Sequence, residues 1–298
     1  MLLRRDGVFV ALWTPTDADG SLLERELRAH LQFLRSKSMQ GILALGSTGE
    51  FLHLDLPARK RLLEIVAEEA GPLAVLANIS DIRPRAVAEL GRFAHDLQLS
   101  AVAVLPPHFF PVAQADLEEF FVRAADAAQL PLFLYNFPER TGNRIALETV
   151  AAVADRASLA GVKQSGADFG YHRELVELGR KKNFVVFTGG EPRLAEAMSL
   201  GVTGCVSGLA NAVPEMVVDI FELAGGRRAG DLEEAVTRMQ RLGALVDQVE
   251  FPLNVAAAIE ARGLPTGEPK SVVSAVTRAR YERLVHDLRA LYREWQLI

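Results

Sequence analysis

The chain has 298 residues, 49% of them hydrophobic and 24% charged, with a formal net charge of -5. That size and balance describe a globular chain able to bury one barrel-sized core or two smaller ones. The acidic balance excludes a basic footprint for nucleic acid or an anionic membrane, and a single cysteine, Cys205, excludes an internal disulfide framework.

The first residues, Met1-Leu2-Leu3-Arg4-Arg5-Asp6, meet charge too early for a signal peptide. No later apolar run is long enough to span a bilayer. A soluble cytoplasmic chain is expected, with no nucleic-acid or membrane partner.

Eight short apolar runs follow, at 8–15, 41–48, 73–80, 101–107, 131–138, 158–166, 184–190 and 204–210. Near-continuous apolarity over so few residues suggests strands buried on both faces, as in parallel sheets. The intervening segments carry helical periodicity. Leu23, Leu27, Leu31 and Leu34 recur among Glu24, Arg25, Glu26 and Arg28, with Ser21 and Glu24 placed as a capping box. Further helices are predicted over 58–70, 83–97, 116–129, 147–154 and 173–182, and Pro192 and Pro214 stand near the starts of two more.

Strict strand–helix alternation predicts an α/β fold, a (β/α)8 TIM barrel over residues 1–225. The alternative is an open doubly wound sheet, but no G-x-G-x-x-G follows the first run. Beyond Gly225-Gly226 the alternation stops, and residues 226–298 read as a C-terminal helical region packed on the barrel, with helices over 231–249, 252–261 and 270–295.

The sixth run, Ser158-Leu159-Ala160-Gly161-Val162-Lys163-Gln164-Ser165-Gly166, places one amine near its C-terminal end. The other five lysines read as lying in polar or loop-like contexts. A buried ammonium must find a partner or lose its charge. The run alone leaves two readings open, a salt-bridged structural lysine and a nucleophile towards carbonyl groups.

In a barrel, chemistry gathers at the C-terminal strand ends. The second run ends in Gly46-Ser47-Thr48-Gly49-Glu50, with two hydroxyls and exposed amides fit to hold a carboxylate, or simply to form a capped turn. The fifth ends in Tyr135, a proton-transfer group, followed by Arg140, a fork for a substrate carboxylate. Gly189 and Glu191 after the seventh run, and Val206 in the eighth, complete the candidates; the glycines there either let backbone approach a ligand or serve turns. His30, His53, His95, His108, His172 and His286 show no metal-ligand spacing, so no metal is expected. His108, at the end of the fourth run, could face the pocket or a neighbouring subunit.

Taken in order, GSTGE (46–50), YNFPERTG (135–142), GVKQSG (161–166) and GVTGCVSGLANAVPE (201–215) resemble the dihydrodipicolinate synthase and N-acetylneuraminate lyase family, over about residues 8–225. The resemblance implies a class I aldolase-type barrel that forms a Schiff base with a 2-oxo acid, usually pyruvate, without a cofactor. It makes Lys163 the Schiff-base lysine and Tyr135 the proton shuttle. Ser47 and Thr48 would hold the carboxylate and share in proton relay, and the Val206 backbone would line the pyruvate site. Arg140 matches the arginine that the synthases use for the carboxylate of their aldehyde substrate.

Two departures leave the second substrate open. Phe109 stands where the synthases place a tyrosine that reaches across a subunit interface. Glu191-Pro192 and Gly208 stand where the sialic acid lyases carry an acidic pair and a serine. Three activities therefore remain: a pyruvate-dependent lyase or aldolase, a dehydratase of 2-oxo sugar acids using the same iminium, and a catalytically silent binding or regulatory barrel. The resemblance also implies a homotetramer or homodimer.

Overall fold

The computed structural model describes residues 3–166 and 168–298. Met1 and Leu2, part of the stretch read for a signal peptide, lie outside the described residues, as does Ala167. Eight parallel strands close into a barrel: β1 (Gly7–Ala11), β2 (Gly41–Ala44), β3 (Ala74–Asn78), β4 (Ala101–Val104), β5 (Leu132–Asn136), β6 (Leu159–Gln164), β7 (Val185–Thr188) and β8 (Gly204–Ser207). Each apolar run supplies one strand, and its polar or glycine-rich end becomes the loop beyond.

The outer helices are α1 (Glu24–Arg35), α2 (Leu56–Glu69), α3 (Pro84–Asp96), α4 (Gln114–Ala128), α5 (Pro138–Thr141), α6 (Leu147–Arg156), α7 (Gly170–Lys182), α8 (Leu194–Ser199) and α9 (Pro214–Ala224). Three more follow: α10 (Leu232–Val246), α11 (Leu253–Ala261) and α12 (Ala275–Glu294). Their buried side chains, among them Met239, Ile259 and Leu288, join the same apolar core as the strands. Among the described residues no helix is long and apolar enough to cross a membrane.

Sequence periodicity locates the helices better than their caps. The expected capping box of α1 does not form. Its N-cap is Leu23, and Ser21 belongs to the preceding turn, where Asp17 accepts from its amide at 2.9 Å. Asp55, Asp231 and Ser274 do cap α2, α10 and α12 by accepting from backbone amides.

One layer of the barrel interior is aromatic. Phe9, Phe133 and Phe187 lie in register with Gly41, Gly161 and Gly204 on the next strand round. The rings pack together, Phe187 lying 5.2 Å from Phe9 and 5.5 Å from Phe133 between centroids. The glycines are required by this packing. A Cβ at Gly161 would sit 2.3 Å from the Phe133 ring, and one at Gly41 would sit 2.2 Å from Phe9. Three large rings facing three absent side chains fill this layer of the barrel interior.

Asn211 ties the end of β1 to the loop after β8. Its Nδ2 donates to the carbonyls of Ala11 (2.7 Å) and Gly208 (2.8 Å), and its Oδ1 accepts from the Trp13 amide (2.9 Å). His30 of α1 lies 3.0 Å from that Oδ1 through Nε2, so Nε2 must be the donor. Its Nδ1 is then a buried lone pair without a protein partner among the described residues.

Protonation would add an N–H with nothing to accept it, and burial lowers the His30 pKa to about 4. The folded value lies below the unfolded one, so the stabilising contribution is present above about pH 6.5 and is lost as pH falls towards 4. Urea unfolding should show about 2 kcal/mol less stability at pH 5 than at pH 7 from this group alone. That increment should disappear in His30→Gln, and an unchanged pH dependence would refute the assignment.

Candidate active site

A cavity of about 310 Å³ opens at the C-terminal end of the barrel. Thr48, Tyr135, Arg140, Lys163, Gly189, Glu191 and Val206 all line it. Ser47 joins through Tyr135, its Oγ lying 3.2 Å from the phenolic oxygen. All eight candidate residues therefore converge on one place, although they come from strands and loops spread over the chain. His108 does not line the cavity.

The position of Lys163 depends on one irregularity. Leu132 on β5 pairs with Leu159 on β6, but Phe133 pairs with Gly161, so one extra residue, Ala160, is inserted. Without the shift, Tyr135 would face Val162. With it, Tyr135 and Lys163 are partners in register on the interior face. The Lys163 side chain lies over the Tyr135 ring, Nζ 3.9 Å from the centroid, and both residues are buried. Among the described residues Lys163 has no carboxylate partner within ion-pair distance, which removes the salt-bridged reading of this amine.

Buried amides hold the outward face of the same strands. Asn136 and Gln164 are also partners in register, and Asn136 donates to Gln164 Oε1 at 2.7 Å. Asn136 Oδ1 accepts from the Ile145 amide at 3.0 Å, which ties β5 to the segment entering α6. Neither side chain lines the cavity, although both residues belong to the YNFPERTG and GVKQSG motifs. What marks them in the sequence besides is polarity inside otherwise apolar runs.

Gly189 gives the lysine room. A Cβ there would lie 2.1 Å from Ser165 Oγ and 3.4 Å from Lys163 Cε. Glu191 is anchored by one oxygen only: Oε1 accepts from Ser207 Oγ (2.7 Å) and from the Leu209 amide (3.0 Å). Its other oxygen makes no hydrogen bond among the described residues. Behind the lysine, burial pushes the Cys205 thiol well up, so it stays protonated at neutral pH and is no nucleophile.

The outer half of the cavity was not anticipated. Gly243, Val246 and Asp247 from α10 and its end, with Phe251, Asn254 and Val255, form one wall. Phe251 also faces Arg140, whose guanidinium lies 5.3 Å from its ring and 5.9 Å from that of Phe137. Arg140 makes no ion pair among the described residues, so two aromatic faces hold a cation at the cavity without neutralising it. Sequence gives little warning of this wall, since α10 and α11 lie outside the strand–helix repeat.

Lys270 lies in the loop between α11 and α12, in keeping with its polar or loop-like sequence context, yet its side chain is only 2% exposed. Nζ donates to the Thr14 carbonyl (2.7 Å) and to Glu50 Oε2 (3.1 Å), above the Trp13 ring. Burial lowers its pKa, against the opposing pull of Glu50.

The Dihydrodipicolinate synthetase family model matches residues 4–291. A 4-hydroxy-tetrahydrodipicolinate synthase of Haloarcula marismortui is 29% identical over 280 residues, covering 94% of this chain and 90% of the relative. An uncharacterised DapA-like lyase of Halobacterium salinarum is 30% identical over 292 residues, covering 96% and 94%. In fold, the chain superposes with TM-score 0.89 and 24% identity on the chloride-inhibited dihydrodipicolinate synthase of Acinetobacter baumannii complexed with pyruvate, covering 99% of this chain and 100% of the other. The chain belongs to the dihydrodipicolinate synthetase family, whose members are lyases of the class I aldolase type.

Proposed function

We propose that this protein is a Schiff-base lyase acting on pyruvate or another short 2-oxo acid, with Lys163 as nucleophile, Tyr135 as proton shuttle and Ser47 as its relay partner. The observation that carries the reading is the stacked, unpaired amine of Lys163 beside a tyrosine whose hydroxyl is already bonded to Ser47. The neutral amine adds to the keto carbon, and the Tyr135 hydroxyl supplies the proton with which the carbinol oxygen leaves as water. The resulting iminium draws in the electron pair of the adjacent bond. Either a proton leaves the next carbon, or that carbon's bond to a second carbon breaks and an aldehyde departs. Protonation of the enamine and hydrolysis of the imine return pyruvate and the free lysine.

Thr48, with the amides of its loop, suits the 2-oxo acid carboxylate at the inner end, with the Val206 backbone and Gly189 alongside. The outer half suits a second substrate carrying a distal carboxylate for Arg140 and hydroxyls for Glu191. The enzyme needs no cofactor in this scheme, and a cytoplasmic setting suits its single cysteine.

The test is reduction of the protein with borohydride in the presence of pyruvate. One reduced pyruvate per chain, mapped to the 159–166 segment, is the expected product; an unmodified chain would refute the reading. A panel of 2-oxo acids scored for pyruvate release against water loss then separates aldolase from dehydratase.

A homo-oligomer is also part of this reading. Leu52, Ile82, Phe109 and Phe110 are exposed on consecutive loops after β2, β3 and β4, and Phe109 is 82% exposed with a positive φ of 79°. Apolar side chains grouped at one rim suit burial against a second copy. Sedimentation should show a dimer or larger species, and Phe109→Glu should shift it towards the monomer. A wild-type monomer at micromolar concentration would contradict the assembly.

A further inference from the structure

Lys270 is a second buried lysine at the catalytic end of the barrel, and nothing in the iminium scheme uses it. It stands in the connection between α11 and α12, well apart in sequence from the segments it touches. Its ammonium ties its own loop to two of them, through the Thr14 carbonyl beyond β1 and the Glu50 carboxylate that ends the GSTGE turn.

Other bonds fasten the same connection. Trp13 Nε1 donates to the Thr266 carbonyl (2.9 Å) and the Glu268 amide donates to the Thr16 carbonyl (2.7 Å). Gly267 permits that approach, since a Cβ there would lie 2.3 Å from the Thr16 oxygen and its φ is +73°.

Glu50 is held in the left-handed region at φ 53°, unusual for a residue with a long side chain. Its amide donates back to the Ser47 carbonyl (3.1 Å), and its carbonyl accepts from the His53 amide (3.0 Å). The conformation of Glu50 therefore sets the turn that presents Ser47 to Tyr135 and Thr48 to the cavity. Gly49 is pressed against β1, where a Cβ would meet the Leu12 oxygen at 2.7 Å, so the turn has little slack on that side. On the other side the restraint is the Lys270–Glu50 contact.

We propose that Lys270 is a positioning residue: through Glu50 it clamps the 46–50 turn and so sets the Ser47–Tyr135 relay. A αL conformation for Glu50 persists only where the surroundings over-determine it, and the buried ammonium with two acceptors supplies that restraint. The C-terminal helices then serve the chemistry twice, once as the outer wall and once as the anchor of the relay. The proposal rests on the iminium reading above.

The half-reaction with pyruvate alone tests both and keeps them apart. Enamine formation exchanges the C3 protons of pyruvate for deuterium in D2O, which NMR follows without a second substrate. Lys270→Met should lower exchange at saturating pyruvate about 10- to 100-fold at a temperature where circular dichroism shows the variant folded. Peptides covering 46–54 should lose amide protection in parallel. A residue serving stability alone would leave the rate per folded molecule unchanged.

The double variant Lys270→Met/Glu50→Gln, which has no stranded carboxylate, should be as slow as the single one. If it recovers the wild-type rate, the loss comes from an unpaired buried charge and the positioning role is overturned. Wild-type exchange matched by Lys270→Met also overturns it. If wild type neither forms the reduced adduct nor exchanges, the iminium reading itself fails and the positioning role of Lys270 falls with it.

Discussion

Lys163→Ala should abolish the reduced pyruvate adduct and slow C3 proton exchange by about 10⁴-fold or more, because no other amine can take its place. The geometry makes the expectation sharp. Lys163 lies on the interior face against the Tyr135 ring, whereas Lys270, the other buried lysine, is committed to Thr14 and Glu50. Truncation removes an amine that has no carboxylate partner, so no charge is stranded and the fold should survive, as a urea transition would verify. An adduct of undiminished yield in the variant would move the Schiff base elsewhere and dissolve the proposed mechanism.

Tyr135→Phe is expected to have the second-largest effect, a loss of about 10²- to 10⁴-fold in exchange at saturating pyruvate. The substitution deletes the hydroxyl bonded to Ser47 and keeps the ring on which the Lys163 amine rests and which stacks with Phe137. Binding of the 2-oxo acid should change little, since its carboxylate is assigned to the turn after β2. The adduct should therefore still form, only slowly, and long incubation with borohydride should recover it. A variant with the full exchange rate would show that protons reach the substrate by another route, and Thr48 would be the next group to test.

The pairing of Tyr135 with Lys163 shows where sequence reading succeeds and where it stops. Both residues stand out as polar groups at the ends of apolar runs, and the alternation of runs and helices places those ends on one face. Their contact, however, depends on the extra residue Ala160 in β6. A one-residue register shift is invisible to periodicity, because the run reads as continuously apolar on either register. The burial of Lys270 is hidden for the opposite reason: Glu268, Pro269 and Ser271 mark a loop, as the structure has it, but the side chain is covered by Trp13 and Glu50, more than 200 residues away in sequence. The capping box expected at Ser21 fails because Asp17 is a competing acceptor for the same turn.

Sequence by itself determined the barrel and singled out the residues proposed to react. Eight buried runs between amphipathic segments admit few other closed arrangements, and the motifs at their ends are local chemistry carried by local residues. Tertiary structure decided how those groups meet. The inward turn of Lys163, the outer wall built from α10 and α11, the cation held between Phe137 and Phe251, and the clamp from Lys270 to Glu50 are all contacts between distant segments. Their energies depend on register, burial and approach of backbone to side chain, quantities that exist only once the chain has closed on itself.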